Sequence, residues 1–403
     1  MFKYFPPSGS PITTKEILYW LACNAFFVDK RRDINNQLRD RFNVDHTYLF
    51  TTGRGAMTVL LKSLKKLRNK AEINEVIIPA YTCYSVASSI QNAGLKVRLC
   101  DVDPNTLSYN LTKLQNMPFA NVLCIISANL YGIPNQLQEI EEIEEIASEN
   151  GVYMIDDAAQ SFNAKYLERE VGTFGSVGLY SFDKGKNITS IEGGGIITNN
   201  SELAEIIDSY YSKTLDNSIR DNLMTAIKVI IYYLFLNPLL YWIPASLPFL
   251  NLGKTRYEEI IEIKKYSRLV APIALMQIKR SNQIAEKRIA NGRWYKNNIV
   301  VSKTISKINE SDHGMPVYLR YPIKITQKEK REAILTHAKR YGITKSYPKS
   351  LNLLIEIDKF LVNPGEFEGA EEISRQLITL PTYAFINNND RENIKNIIEE
   401  MTA

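Results

Sequence analysis

Short apolar runs rich in β-branched residues alternate with amphipathic stretches between residues 50 and 200. The runs predict buried strands at 76–79, 97–102, 122–127 and 152–155. The stretch 137–150 carries apolar residues at three-to-four-residue spacing among many glutamates, which predicts a surface helix. This alternation is typical of an α/β domain with a largely parallel sheet, in which ligands bind beyond the carboxyl ends of the strands.

The last hundred residues predict a smaller α+β domain. A strand is expected at 317–323 and a final amphipathic helix at 388–401. A helix at 328–341 is expected to end at Gly342, because glycine is a common helix stop signal. We therefore divide the chain into a large domain at 12–260, with an apolar insertion at about 222–253, and a linking helix with a small C-terminal domain at 261–403.

The segment from Val229 to Gly253 contains no charged residue. It is long enough to cross a bilayer, but three prolines and Asn237 argue against one straight helix. Three interpretations stay open: two short helices buried in the core or in a dimer interface, peripheral contact with a membrane surface through about 229–250, and a spanning helix. Aromatic residues in the run, with Lys228, Lys254 and Arg256 beside it, suit the interface of a bilayer.

The composition excludes several classes of protein. The net charge of +5, from 49 basic and 44 acidic residues, is too mild to indicate nucleic-acid binding. The four cysteines form no C-x-x-C pair and the three histidines lie far apart, so we expect neither a disulfide framework nor a metal site. The N-terminal segment lacks the long apolar core of a signal peptide, which predicts a cytoplasmic protein.

The residues from 156 to 199 carry the groups that could do chemistry. Asp156 and Asp157 follow a predicted strand, Lys184 and Lys186 follow the next, and a run of three glycines begins at Gly193. Each feature alone is weak, since a lysine between strands is usually a solvated turn residue and a glycine run is usually a turn. Together they predict one site at the carboxyl edge of the sheet.

Several motifs occur together and in order along nearly the whole chain. They lie at 51–57 (TTGRGAM), 78–82, 101–107, 129–132, 156–160 (DDAAQ), 171–175, 181–187 (SFDKGKN), 192–194 and 379–383. With this set the chain resembles the DegT/DnrJ/EryC1/StrS family of sugar aminotransferases, which depend on pyridoxal phosphate. The resemblance implies the type I-like fold of such aminotransferases, with a mostly parallel central sheet and a smaller C-terminal α+β domain. It also implies a homodimer.

The resemblance implies a role for each residue of the candidate site. Lys186 matches the lysine that bonds the cofactor covalently, and its spacing from Ser181 favours it over Lys184. Asp157 matches the acid that pairs with the pyridine nitrogen of pyridoxal phosphate. Gln160 matches the side chain near the phenolic oxygen of the ring, and Ser181 matches a hydroxyl that binds the phosphate.

The turn at 53–57 is expected to open a helix whose N–H groups and dipole hold the cofactor phosphate. Its members in that role are Gly53, Arg54, Gly55 and Ala56. The family commonly has a small hydroxyl residue where this chain has Arg54, which leaves two roles open: a charged clamp on the phosphate, or a contact with the substrate.

Two further departures from the family pattern concern aromatic residues. The family often stacks an aromatic ring on the cofactor at the position of Cys83, and Tyr84 is the candidate replacement. Cys83 itself has the alternative of a small filler against the ring or the core. Tyr266 stands where relatives often supply an asparagine from the neighbouring subunit.

The function that the resemblance implies is transfer of an amino group from an amino acid, with glutamate as the expected donor, to a nucleotide-linked keto-sugar. The product would serve polysaccharide or glycan biosynthesis, in the cytoplasm or at the inner face of the membrane. The alternative is a degenerate, non-catalytic protein of the same fold that binds pyridoxal phosphate or a nucleotide sugar.

Overall fold

The computed structural model of the chain describes residues 3–247 and 257–403. Its helices are α1 (Thr14–Ala25), α2 (Arg31–Phe42), α3 (Gly53–Arg68), α4 (Tyr84–Asn92), α5 (Leu111–Gln115), α6 (Leu137–Glu149), α7 (Ser201–Lys213), α8 (Ile219–Phe235), α9 (Trp242–Ala245), α10 (Ala271–Lys279), α11 (Ser281–Asn298), α12 (Lys328–His337), α13 (Glu368–Gln376) and α14 (Asn388–Thr402). Its strands are β1 (His46–Phe50), β2 (Glu75–Pro79), β3 (Lys96–Cys100), β4 (Val122–Ala128), β5 (Tyr153–Asp157), β6 (Lys165–Tyr166), β7 (Arg169–Glu170), β8 (Val177–Ser181), β9 (Gly194–Thr198), β10 (Ile305–Lys307), β11 (Gly314–Met315), β12 (Arg320–Ile325) and β13 (Leu377–Pro381).

The central sheet has the order β1-β9-β8-β5-β4-β2-β3 in the described chain. Strands β3, β2, β4, β5 and β8 pair in parallel, whereas β9 is antiparallel to both of its neighbours. Strands β2, β4, β5 and β8 are almost wholly buried, because helices cover both faces of the sheet. The predicted mostly parallel α/β domain is confirmed.

The C-terminal part adds a second, antiparallel sheet of order β10-β12-β13. Its core is rich in isoleucines from the sheet and from α12 and α14, among them Ile323, Ile334, Ile378 and Ile394. The division at 260/261 stays a prediction, because segments from the C-terminal part also join the core of the large sheet, as Leu351 and Ile357 do.

Two predicted elements of the C-terminal part have different bounds in the structure. Strand β12 begins at Arg320, three residues later than expected, because Tyr318 has a left-handed φ of 42° that an extended strand does not allow. The helix predicted at 328–341 ends at His337, and a 3₁₀ turn at Lys339–Tyr341 completes the path to Gly342, whose φ is 75°.

The helices of the apolar run differ in their bounds from those that the sequence predicts. Helix α8 begins at Ile219, ten residues before the run, and α9 is a single turn, while residues 248–253 lie outside the described part. Among the described helices, none combines the length and the hydropathy that crossing a bilayer requires.

Strand β9 and the start of α3 approach each other closely at two glycines. A Cβ on Gly194 would lie 2.5 Å from the backbone nitrogen of Gly53 and 2.4 Å from its Cα. Such distances leave no room for any side chain at 194, so the close packing of β9 against α3 requires glycine at this position.

We expect Gly194→Ala to lower the free energy of unfolding by about 2 kcal/mol, since the backbone of β9 or α3 must move to accept the methyl group. The matched control is Gly195→Ala, whose Cβ would meet its nearest neighbour, Leu49, at an ordinary 3.4 Å. Urea unfolding monitored by circular dichroism measures both. An equal loss in the two variants would contradict the close approach.

Candidate active site

A cleft of about 530 Å³ opens at the carboxyl ends of β2, β4, β5 and β8. The side chains and backbone that line it come from several elements: Thr52, Gly53, Arg54, Met57, Thr82, Cys83, Ser85, Val86, Ser89, Ala128, Asn129, Leu130, Asp157, Ala159, Gln160, Leu179, Ser181, Asp183, Lys184, Lys186, Glu192, Gly193 and Glu258. This is the edge where a parallel sheet is expected to bind its ligand.

Asp157 and Lys186 contribute opposite charges to this cleft. Asp157 ends β5 and is 9% exposed, and burial raises the pKa of its carboxyl. The Ala159 backbone N–H, 2.9 Å from Oδ1, and the nearby Lys186 ammonium both oppose that rise in pKa. Within the described chain no group donates a hydrogen bond to Oδ2, so this oxygen is available to a ligand.

Asp156 has a structural role on the other side of β5. Its Oδ1 accepts a hydrogen bond from Asn129 Nδ2 at 2.7 Å, and its Oδ2 accepts from the backbone N–H groups of Gly172 at 2.6 Å and Phe174 at 3.1 Å. Burial raises the pKa of this carboxyl to about 7, although the three donors favour the charged form. Asp156 therefore fixes the 172–174 loop, and Asp157 alone of the two faces the cleft.

Helix α3 begins at the cleft. Thr52 is its N-cap, and its side-chain oxygen accepts a hydrogen bond from the Gly55 N–H at 2.9 Å, so this N–H points away from any ligand. The Ala56 N–H bonds to the Thr52 carbonyl in the ordinary helical way. Gly53 lies against Ser181, whose Oγ would be 3.2 Å from a Cβ at 53, so the positive end of the helix and this hydroxyl meet.

Arg54 points to the rim of the cleft. Its Nη1 lies 2.5 Å from Oε1 of Glu258, and the two side chains are 31% and 48% exposed. Glu258 is placed by its own backbone carbonyl, which accepts a hydrogen bond from the Ser88 hydroxyl of α4. An arginine held by an exposed carboxylate is well suited to exchange that partner for an acidic ligand.

Cys83 and Tyr84 have separate surroundings. Cys83 lines the cleft, where its sulfur lies 2.9 Å from the Ser85 hydroxyl. The Tyr84 hydroxyl donates to the Lys349 carbonyl at 2.9 Å, and its ring packs near Tyr347, outside the lining. Among the described residues, the lining includes no aromatic ring.

Gln160 is fixed by hydrogen bonds at both ends of its amide. Its Nε2 donates to the Tyr347 hydroxyl at 2.8 Å, and its Oε1 accepts from the Tyr131 N–H at 3.0 Å. Tyr347 comes from the C-terminal part, so this part orients a residue of the cleft.

The structure brings most of the predicted site residues together. Those in the lining are Gly53, Arg54, Cys83, Asp157, Gln160, Ser181 and Lys186, whereas Gly55, Ala56 and Tyr84 lie outside it. Tyr266 is fully buried, with its hydroxyl 2.5 Å from Ser190 Oγ, so it belongs to the core of this chain.

Sequence reasoning missed Glu258, and it missed Ser85 and Ser89 of α4. Glu258 carries no local signal, because it reaches the cleft from a segment two hundred residues beyond Arg54. The two serines lie on the first turns of α4, a helix that the sequence analysis did not predict.

The donor set of the cleft fits pyridoxal phosphate. A phosphate suits the start of α3 with the Ser181 hydroxyl, a pyridinium suits the carboxylate of Asp157 with its open oxygen, and an aldehyde suits the amine of Lys186. The hydroxyl of Thr82 is buried and lines the same cleft, and it has no hydrogen-bond partner among the described residues.

A mostly parallel seven-stranded sheet with this cleft at its carboxyl edge, joined to a small α+β part, defines the type I fold of pyridoxal-phosphate aminotransferases. The sequence model of the DegT/DnrJ/EryC1/StrS aminotransferase family matches residues 28–401. The chain belongs to that family.

Two curated relatives show how far the sequence similarity extends. The chain is 26% identical over 340 residues to a pleiotropic regulatory protein of Geobacillus stearothermophilus, in an alignment that covers 81% of this chain and 78% of that protein. It is 27% identical over 209 residues to GDP-perosamine synthase of Escherichia coli O157:H7, and here the alignment covers 50% of this chain and 55% of the synthase.

Solved structures share the whole fold. Helicobacter pylori PseC, an aminotransferase involved in pseudoaminic acid biosynthesis, aligns over 99% of both chains with a TM-score of 0.80 and 17% identity. GDP-4-keto-6-deoxy-D-mannose-3-dehydratase of E. coli, with bound hydrated pyridoxal phosphate, aligns over 99% of this chain and 100% of its own, with a TM-score of 0.78 and 14% identity.

The titration of Asp156 yields a pH-dependent stability. Because its pKa is about 7 in the folded chain and about 3.9 in an unfolded one, the folded state holds the extra proton between these values. The contribution of Asp156 to stability is therefore full below about pH 4 and is lost as the pH rises to about 7.

Asparagine does not titrate, so Asp156→Asn should not lose the stability that the unmodified protein loses between about pH 5 and about pH 7.5. We expect the free energy of unfolding of the variant, relative to that of the unmodified protein, to rise by roughly 1–3 kcal/mol over this range. Urea unfolding at the two pH values measures it, with exposed Asp40→Asn as the control. A pH-independent difference between Asp156→Asn and the unmodified protein would contradict this assignment.

Proposed function

We propose that the protein is a pyridoxal-phosphate-dependent aminotransferase that moves an amino group from an amino acid, glutamate, to a nucleotide-linked keto-sugar for polysaccharide or glycan biosynthesis. The observation that carries the proposal is the presence of Lys186 and Asp157 in one cleft, at the carboxyl edge of the sheet and beside the start of α3. Membership of an aminotransferase family supports the reaction class.

When bound, the cofactor supplies an aldehyde that captures amines and a ring that accepts electrons from the carbon being deprotonated. Lys186 holds the cofactor through its Nζ and then acts as the base that takes a proton from the α-carbon of the donor and later returns one to the sugar. Asp157 keeps a proton on the pyridine nitrogen, since its buried carboxylate needs a cationic partner. Gln160 is a positioning residue at the ring oxygen.

The names of relatives support an activated keto-sugar as the acceptor. A GDP-perosamine synthase is among them, and the name of the dehydratase states a GDP-linked 4-keto sugar. Arg54 is the residue we assign to an acidic group of the substrate, because its guanidinium is partly exposed at the rim and pairs there with Glu258.

Two rivals remain distinguishable from the aminotransferase. Sugar dehydratases of this family replace the lysine that bonds the cofactor, whereas Lys186 is present in this chain. A non-catalytic binding protein would explain the unusual Arg54 and Cys83, but it would not need a lysine and an open carboxylate oxygen in the same cleft.

We further propose a homodimer whose partner subunit completes the cleft. The lining of one chain carries four acidic residues against three basic ones, although the cofactor and a nucleotide diphosphate both bring negative charge. We place the enzyme in the cytoplasm, at the inner face of a membrane that it contacts through residues 229–250.

Lys186→Ala is expected to slow amine transfer by roughly 10²–10⁴-fold, because the reaction loses its base. In the unmodified protein we expect glutamate to shift the visible absorption of the bound cofactor, and we expect the variant to lose this shift. Lys184→Ala is the matched control, and it should keep both the shift and most of the rate. A shift that survives in Lys186→Ala and disappears in Lys184→Ala would reverse the assignment of the two lysines.

Arg54→Thr, which restores a small hydroxyl, is expected to raise KM for the acidic substrate roughly tenfold with little change in kcat, since it removes a contact of the rim. Arg54→Lys should raise KM less than Arg54→Thr does, because lysine keeps the positive charge but lacks the forked donors of the guanidinium. Equilibrium dialysis gives the affinity for pyridoxal phosphate in parallel. A loss of cofactor affinity in place of the KM effect would make Arg54 a phosphate clamp.

A further inference from the structure

Helix α8 exposes an apolar stripe along its whole length. Its members recur on successive turns, as the spacing of a single helix face requires, with exposed fractions of 41–89%: Ile219, Leu223, Met224, Ile227, Ile230, Ile231 and Leu234. Monomeric proteins rarely expose contiguous apolar patches of more than a few hundred Å², and larger patches mark interaction sites.

Helix α1 meets the end of α8 and adds further exposed apolar residues near the stripe. The Thr14 and Tyr233 hydroxyls are 3.0 Å apart, which joins the start of α1 to the end of α8. At the other end the Asn24 amide donates to the carbonyl of Leu269, and Ser267 of the same turn donates to Asn222 of α8. The two helices therefore run in opposite directions, in direct contact at one end and bridged by the 267–269 turn at the other.

The contribution of α1 to this surface is also apolar. Leu18 and Leu21 are more than half exposed on the helix, and Phe26 and Phe27 are 80% and 74% exposed at its end. Phe27 holds a left-handed φ of 56°, which is uncommon for an aromatic residue. We call the exposed apolar residues of α1, α8 and the Phe26–Phe27 turn the apolar face.

The charged residues of α1 and α8 indicate which kind of partner binds the apolar face. Their two acidic residues pair away from it: Glu16 is buried against Arg280, and Asp221 binds Lys264. Their basic residues are Lys15, Arg220 and Lys228, which are exposed and lie within 4 Å of no carboxylate among the described residues. Lys228 is on the flank of α8, where its charge also acts on Glu192 and opposes the rise that burial causes in the pKa of that carboxyl. A second copy docked on this face by a two-fold axis would bring these like charges towards each other, whereas an anionic lipid surface attracts all three.

We propose that the apolar face rests on an anionic bilayer, with its apolar side chains at the acyl boundary and its three basic residues among the headgroups. Trp242 of α9, 48% exposed, adds an aromatic residue of the type that prefers this depth. The inference rests on the proposed location at a membrane and deepens it, because it moves the contact from 229–250 to α1 and all of α8.

The same helix connects the surface with the cleft. On the inner side of α8, Thr225 Oγ1 donates to Glu192 Oε2 at 3.1 Å, and the Tyr232 hydroxyl donates to the carbonyl of Lys184 at 2.9 Å. Glu192 and Lys184 both line the cleft, so α8 is hydrogen-bonded directly to the wall of the cleft.

Co-sedimentation of the full chain, loaded with pyridoxal phosphate, with vesicles of phosphatidylcholine and phosphatidylglycerol tests this surface. We expect Leu223→Gln/Ile227→Gln/Ile231→Gln to lower vesicle affinity by roughly tenfold or more. The matched control, Val300→Gln/Val301→Gln/Ile355→Gln, removes three apolar residues elsewhere that are 57–80% exposed, against 41–60% for the α8 set, and should bind like the unmodified protein. Lys15→Gln/Arg220→Gln/Lys228→Gln should weaken binding by about fivefold per residue at low salt.

The proposal is overturned if the full chain stays in the supernatant, or if the α8 variant and its control lose affinity equally. It is also overturned if sedimentation velocity finds that the α8 substitutions only split a dimer, since the face would then join two copies. Amine transfer is assayed without vesicles, so protein that pellets but transfers no amine supports this surface and contradicts the proposed reaction.

Discussion

The buried carboxylate of Asp157 and the amine of Lys186 lie in one cleft, and the surrounding sheet and helices hold the two groups there. A carboxylate at the end of β5 is costly to bury, so it needs a positive partner, which the lysine supplies in part and a pyridinium would supply fully. The neighbouring Asp156 takes no part in this pairing, because three N–H donors hold it on the opposite side of the strand. Of the two adjacent acids, Asp156 thus stabilises the fold and Asp157 belongs to the site.

Much of this arrangement could be predicted from the sequence. The strands of the large sheet follow from β-branched runs, and the clustering of Asp157, Ser181 and Lys186 follows from the rule that parallel strands end at one edge. Glu258 could not be predicted, because it reaches Arg54 from a segment without periodicity or motif. Nor could the orientation of Tyr84, since only the tertiary contact with Lys349 turns its ring away from the cleft.

The insertion illustrates a different limit of sequence reasoning. An uncharged run predicted apolar helices, but the boundaries of α8 depend on the capping box formed by Ser218 and Asp221, upstream of the run. The neighbouring α1 has the pattern of an ordinary amphipathic helix, and its contact with α8 through the Thr14 and Tyr233 hydroxyls could not be predicted from the sequence. In one direction α8 supports the cleft through Thr225 and Tyr232, and in the other it exposes a face that no described residue covers.

The central claim is that Lys186 bonds the cofactor while Asp157 faces its ring nitrogen. Borohydride reduction of the protein loaded with pyridoxal phosphate, followed by digestion and peptide mapping, tests it most directly. The account predicts a single reduced cofactor adduct on the peptide that carries Lys186, with none in Lys186→Ala. An adduct on Lys184, on another lysine or on no lysine would contradict the chemistry assigned to the cleft and leave only the fold.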